Sequence, residues 1–199
     1  MSKEYRFYRF VYRLVAWIFY SILGLRVTGR ENVPDGAAVV CSPHASLLDP
    51  FYLAIGLGIK HHIHFMAKKE LFQIKGIGRL VRRLGAFPVD RKSTDVTAIK
   101  TAMQYLRSGE KIGIFPEGTR VAQDDAVAAK AGAVRIADRS KVPVLPVYLQ
   151  RTKRLFGKVK MVIGQPYYVC DGSRRLTGDD YRIKAGELME QIKRLGDGL

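Results

Sequence analysis

The sequence predicts a single α/β domain, a mixed and largely parallel sheet flanked by helices, with an amphipathic helix ahead of it. Three observations carry that expectation. From residue 25 onward short β-rich runs alternate with segments of helical period, the order that places helices on the faces of a sheet. At 199 residues and 47% hydrophobic, the chain holds enough apolar material for one sizeable core. No internal repeat, linker or low-complexity tract divides it, so residues 1–24 read as a leading helix and residues 25–199 as one domain.

In the leading segment Lys3, Arg6, Arg9 and Arg13 fall within one broad helical face, and Tyr5, Phe7, Tyr8, Phe10, Val11, Tyr12 and Leu14 fill much of the rest. This is the pattern of a basic, aromatic helix lying in a membrane interface. Leu14 to Leu25 carries no charge over twelve residues. As a helix it reaches only about 18 Å, short of the roughly 20 apolar residues that a span requires, which favours a membrane-surface anchor over a transmembrane segment. No small-residue cleavage site follows the stretch, which argues against a secretory signal.

The first strand is expected at Leu25–Thr28 and the second at Ala37–Cys41, both rich in apolar or β-branched residues. Further strands are expected at His62–Met66, Lys111–Phe115, Val142–Leu149 and Val159–Ile163. Between them, Val96, Ile99, Met103 and Leu106 mark the apolar stripe of one helix. Tyr181, Ala185, Leu188, Ile192 and Leu195 mark another, started by Thr177 with Asp180 three residues on. The run Arg151 to Lys160 is unusually basic and reads as a solvated loop or a contact to lipid phosphates.

The chain carries 34 Lys+Arg against 18 Asp+Glu, a formal net charge of +16 spread over both halves. Its partners are therefore expected to be anionic: nucleic acid, an anionic membrane surface, or an acidic or phosphorylated molecule. No helix-turn-helix, zinc-finger or RNP-type signature accompanies the charge, so nucleic acid is set aside. Cys41 and Cys170 lack paired spacing, which argues against a disulfide framework and fits a reducing compartment. Cys41 ends an apolar run and reads as a core residue rather than a nucleophile.

Chemistry concentrates in Cys41-Ser-Pro-His-Ala-Ser-Leu-Leu-Asp49-Pro and Phe115-Pro-Glu-Gly-Thr-Arg120. His44 can take a proton from a hydroxyl near neutral pH, and a carboxylate fixing its other ring nitrogen selects the tautomer and stabilises the imidazolium. Asp49, five residues on in a helix-compatible stretch, is the candidate orienter. Gly85-Ala-Phe-Pro-Val-Asp-Arg91 and the Phe115–Arg120 segment each end an apolar run in a turn bearing an arginine, the side chain suited to forked recognition of phosphate. The strands ending at Cys41 and Phe115 would deliver His44 and Arg120 at their carboxyl ends, the edge at which open α/β sheets bind ligands. If those strands lie parallel and adjacent, base and arginine share one cleft, expected to be about the size of a glycerol phosphate. Gly118 would let the backbone approach a ligand closely.

With these blocks the chain resembles the glycerolipid acyltransferases, specifically those acting on 1-acylglycerol 3-phosphate, over roughly residues 25 to 165. The first block is matched by His44, Ser46 and Asp49, the second by Gly85, Phe87, Asp90 and Arg91, the third by Phe115 to Arg120 in full and the fourth by Val142 to Val147. Two positions depart from the pattern: Pro43 stands where the family usually has Asn, and Val121 where it usually has Ser. Both bear on loop geometry and substrate preference rather than on reaction class.

The resemblance implies acyl transfer from an acyl thioester, carried by acyl carrier protein or coenzyme A, to the sn-2 hydroxyl of lysophosphatidic acid, giving phosphatidic acid. It implies His44 and Asp49 as catalytic residues, Lys68, Arg91, Glu117, Gly118, Thr119 and Arg120 as substrate-binding residues, and no cofactor or metal. Glu117 either hydrogen-bonds a glycerol hydroxyl or braces Arg120, and one of the adjacent Lys68 and Lys69 must point elsewhere. Together with the leading helix, the resemblance places the protein on the cytoplasmic face of the cell membrane as a peripheral or monotopic protein. Transfer would be direct, since no Gly-x-Ser-x-Gly elbow suggests an acyl-enzyme. Two alternatives remain: a related acyltransferase accepting glycerol 3-phosphate or another lysophospholipid, and a non-catalytic anionic-lipid-binding protein. His61, His62 and His64 invite a metal, yet alternation puts only His62 and His64 on one face, with no carboxylate or cysteine at ligand spacing.

Overall fold

Strands rich in Val, Ile and Leu and buried on both faces form the centre of the sheet, seven-stranded among the described residues, in a computed structural model of the chain. The structure describes residues 3–90, 95–120, 129–151, 157–170, 172 and 174–197, with side chains from residue 9 onward. Expectations for the side chains of Lys3, Tyr5, Arg6, Phe7 and Tyr8, and for Arg91, Val121, Lys153 and Arg154, lie outside the described residues.

The strands are β1 (Leu25–Thr28), β2 (Ala38–Cys41), β3 (Ile63–Lys68), β4 (Phe87–Val89), β5 (Lys111–Ile114), β6 (Val144–Leu149) and β7 (Val159–Ile163). Their order across the sheet is β1-β7-β6-β2-β5-β3-β4. Every neighbouring pair is parallel except β6 with β7, so the sheet is mixed and largely parallel, as expected. β4 was not expected as a strand. It holds only three residues and contains Pro88, which is accommodated because β4 occupies the sheet edge.

Among the described residues six α-helices flank the sheet: α1 (Lys3–Ser21), α2 (Asp49–Leu57), α3 (Ile77–Arg83), α4 (Val96–Arg107), α5 (Gly132–Ser140) and α6 (Gly178–Arg194). Alternation along β2 divides the core into two layers. Val39 and Cys41 join Ala102 of α4, Val134 of α5 and Leu188 of α6, whereas Val40 joins Phe19 of α1 and Tyr52 of α2. Cys41 is fully buried, and burial pushes its thiol well above its ordinary range, in keeping with a core role. Thr177 and Asp180 form the expected capping box of α6, whose Tyr181, Ala185, Leu188 and Ile192 are buried. The stripe of α4 is rotated from expectation. Ala98, Ala102 and Leu106 are buried and Val96 is exposed, because small alanines let the helix sit close to the sheet.

α1 is docked rather than free. Phe19 is buried edge-on against Tyr52 with ring centroids 4.5 Å apart, and the Tyr12 hydroxyl donates to the Ile55 carbonyl at 2.9 Å. The same helix leaves Phe10, Leu14 and Trp17 exposed at i, i+4 and i+7. No helix among the described residues is long and apolar enough to cross a membrane.

Candidate active site

Strand register builds the site. Cys41 pairs with Ile114 where β2 and β5 end, so His44 and Glu117, each three residues further on, leave the sheet level with one another. The His44 backbone N–H donates to Glu117 Oε2 at 2.8 Å. Glu117 Oε1 forms an ion pair with Arg151, just past β6, so one buried carboxylate ties together the ends of three adjacent strands. The arginine it braces is Arg151, not Arg120, whose bracing is one of the two roles open to Glu117 from sequence. Arg151, read from sequence as the start of a solvated basic loop, has a side chain only 15% exposed.

Asp49 opens α2 and folds back beneath the histidine. Its Oδ2 lies 3.0 Å from His44 Nδ1 and accepts the Ala45 and Ser46 backbone N–H groups, each at 2.7 Å. The start of a helix favours the negative charge, and Pro50 at the first turn needs no N–H partner. With a carboxylate as acceptor, Nδ1 carries the ring proton and Nε2 keeps its lone pair. One imidazole face stacks on Phe115, with centroids 4.0 Å apart and planes 15° apart. Position, tautomer and tilt of the ring are therefore all fixed, while His44 remains part of the wall of a cavity.

That cavity measures about 490 Å³, within the range of ligand sites. His44, Lys68 and Arg120 line it together with an apolar wall that includes Tyr12 and Val15 of α1, Phe51 and Ala54 of α2, and Phe65 of β3. It is larger and more apolar than the glycerol phosphate cleft expected from sequence, because the spacing of motifs carries no information about what α1 and α2 enclose. Gly113 is needed beside it. A Cβ there would lie 2.2 Å from the Phe65 ring.

The remaining expected residues are placed as follows. Lys68 lines the cavity, while Lys69 turns away to Asp90 at 2.5 Å, so the adjacent lysines do diverge. Gly118 adopts φ 70° in the turn after Phe115, and a Cβ would crowd the Lys130 side chain at 2.9 Å. Thr119 and Arg120 are exposed, and Arg120 reaches the cavity.

A buried imidazole–carboxylate pair on the wall of an apolar cavity, with cationic side chains on the same wall, is suited to an amphiphilic, anionic substrate. The sequence profile of the Acyltransferase family matches residues 24–150. The chain is 38% identical over 182 residues to 1-acyl-sn-glycerol-3-phosphate acyltransferase of Bacillus subtilis (strain 168), covering 88% of this chain and 90% of that protein. A protein of the same name from Streptococcus pneumoniae (strain ATCC BAA-255 / R6) is 30% identical, with 96% of this chain and 74% of that one covered. The crystal structure of the 1-acyl-sn-glycerophosphate (LPA) acyltransferase PlsC from Thermotoga maritima matches all of this chain and 85% of its own, with a TM-score of 0.71 and 25% identity. The chain belongs to the Acyltransferase family.

Proposed function

We propose that this enzyme transfers a fatty acyl group from an acyl thioester to the sn-2 hydroxyl of 1-acyl-sn-glycerol 3-phosphate, giving phosphatidic acid. The observation that carries the reading is His44, braced by Asp49, on the wall of an apolar cavity that Lys68 and Arg120 also line. Relatives covering most of the chain bear the name of this activity.

In this mechanism His44 Nε2 accepts the hydroxyl proton as the oxygen attacks the thioester carbonyl. The C–O bond forms and a tetrahedral intermediate follows. Its collapse breaks the C–S bond, and the imidazolium returns the proton to the departing thiolate. Asp49 stabilises the transient imidazolium, and Phe115 keeps the ring from turning away. General-base action contributes roughly 10²- to 10⁴-fold, with positioning of two bound substrates supplying the larger share. Arg120 and Lys68, with Arg91, bind the acceptor phosphate, Arg120 by a forked contact. Glu117 acts as a strut, holding the His44 backbone. The apolar wall takes an acyl chain.

α1 serves two ends in this reading. Its inner face walls the cavity, and its outer Phe10, Leu14 and Trp17, together with the exposed Leu47, Leu48 and Phe51, lie on the cytoplasmic membrane surface. The lipid acceptor then reaches the site without crossing water. The test is turnover by purified protein with lysophosphatidic acid and either acyl carrier protein or coenzyme A as acyl carrier, against glycerol 3-phosphate and a phosphate-free monoacylglycerol. Activity with the phosphate-free acceptor equal to that with lysophosphatidic acid would overturn the acceptor assignment.

A further inference from the structure

At the opposite edge of the sheet, where strands begin, lies a cluster that acyl transfer does not use. His64 is the second residue of β3 and His62 precedes the strand, so alternation sends both rings to one side. Ile63 pairs with Lys111, the first residue of β5, which brings Glu110 level with His62. Glu110 is the carboxylate that spacing along the chain could not supply. Its Oε2 stands 4.0 Å from His62 Nδ1 and 3.9 Å from His64 Nε2, and the three atoms lie within 4.8 Å of one another.

The far sides of both rings face one turn. His64 Nδ1 bonds to the Gly85 carbonyl at 2.8 Å, which puts the proton on Nδ1 and leaves the Nε2 lone pair directed at Glu110. His62 lies beside the same turn, where a Cβ on Gly85 would be 3.0 Å from its Nε2, and its Nδ1 faces Glu110. His64 is stacked on Tyr105 with centroids 3.7 Å apart, and His62 meets it edge-on at 4.5 Å. Two imidazole nitrogens and a carboxylate oxygen therefore converge at separations too long for direct hydrogen bonds. A cation seated between them would bridge all three.

We propose that His62 Nδ1, His64 Nε2 and Glu110 Oε2 form a binding site for one Zn²⁺ ion, with water completing a tetrahedron. Two imidazoles and one carboxylate suit zinc over magnesium or calcium, which prefer oxygen ligands. Zinc bonds of about 2.0–2.2 Å separate tetrahedral ligand atoms by roughly 3.4 Å, so each gap between Glu110 and an imidazole must close by about half an ångström. Glu110, with its side chain 42% exposed, and the half-buried His62 make that adjustment, whereas the buried His64 is already fixed. The Gly85 carbonyl behind His64 is the kind of outer partner that orients a zinc-bound histidine.

The ion would fasten the entry of β3 to the entry of β5 and, through the His64–Gly85 bond, to the turn before β4. β3 spans about 20 Å, so this is a clamp on the strands that carry Lys68 and the Phe115–Arg120 turn, not a participant in the chemistry.

The test uses tag-free, chelator-stripped full-length protein titrated with Zn²⁺ in competition with a chromogenic chelator, with melting temperature followed in parallel. One equivalent should bind, and it should raise the melting temperature. His62→Gln and Glu110→Gln, at the two half-buried positions, should each weaken uptake at least tenfold and abolish the thermal shift. His44→Gln should bind zinc as the unmodified chain does, which separates this cluster from the site histidine. Bound Co²⁺ should show the intense visible bands of a four-coordinate site. Absence of a stoichiometric ion, or equal uptake by the unmodified chain and both variants, would overturn the proposal.

Discussion

Replacing Asp49 by Asn tests the site most sharply, because the geometry specifies what is kept as well as what is lost. Two backbone amides donate to the oxygen that also faces His44, so the asparagine carbonyl must occupy that place and the amide nitrogen is turned away. The ring tautomer is therefore retained, and the change reduces to removal of one negative charge beside the imidazolium. With the charges roughly 4 Å apart and an effective dielectric constant near 20, their attraction is about 4 kcal/mol, part of which the amide dipole recovers. At about 1.4 kcal/mol per decade, kcat should fall by about 10²- to 10³-fold. His44→Ala removes the base itself and should fall further. Asp49→Ala is the poorer experiment, since two partly buried amides would also lose their acceptor. Steady-state kinetics with lysophosphatidic acid and an acyl thioester, alongside circular dichroism and lipid binding, is the assay. A folded Asp49→Asn protein within a few-fold of native kcat would refute the base-and-orienter reading, and a loss confined to KM would move Asp49 from chemistry to binding.

Arg120→Ala should raise KM for lysophosphatidic acid with little change in donor saturation, Lys68→Ala and Arg91→Ala should do so more weakly, and Arg120→Lys should recover only part of the loss because an ammonium lacks the forked contact; initial rates over both substrate concentrations decide it. Ala54→Trp, which fills the apolar cavity, should shift donor preference toward shorter acyl chains by tenfold or more, read from competition between thioesters of two lengths, and an unchanged preference would place the acyl chain elsewhere. Phe10→Ser, Leu14→Ser and Trp17→Ser combined should weaken vesicle co-sedimentation at least tenfold while sparing turnover on a dispersed acceptor. Deletion of the whole helix is less informative, because it also removes the buried Phe19 and part of the cavity wall. Gly113→Ala should destabilise the fold by about 1–3 kcal/mol through its clash with Phe65, measured by denaturant unfolding.

What could be read from the sequence was what depends on near neighbours. His44 and Asp49 are five residues apart, and their contact is made within one loop and the helix turn after it. The central strands and the capping box of α6 are equally local in origin. α3 escaped notice because its apolar residues do not mark a core: Ile77 and Leu80 are exposed. α5 escaped because its buried stripe of Ala133, Val134, Ile136 and Ala137 runs for only nine residues and consists largely of small side chains. The pairing of Glu117 with Arg151 joins residues 34 apart, and the approach of Glu110 to His62 and His64 depends on the pairing of β3 with β5. No single sequence displays strand register, so neither contact was visible before the sheet was.

The equal reach of the two loops beyond Cys41 and Ile114 makes the site a matter of counting. One residue inserted or deleted between Cys41 and His44 would swing the imidazole off its strut, and the same change between Ile114 and Glu117 would withdraw the strut instead. The segment from Cys41 to Asp49 tolerates no change of length, since the carboxylate must return beneath the ring from the first helical turn. Drift in loop length is thus confined to stretches away from these two loops, and a random insertion library assayed for turnover should map that partition as silent and lethal intervals along the chain.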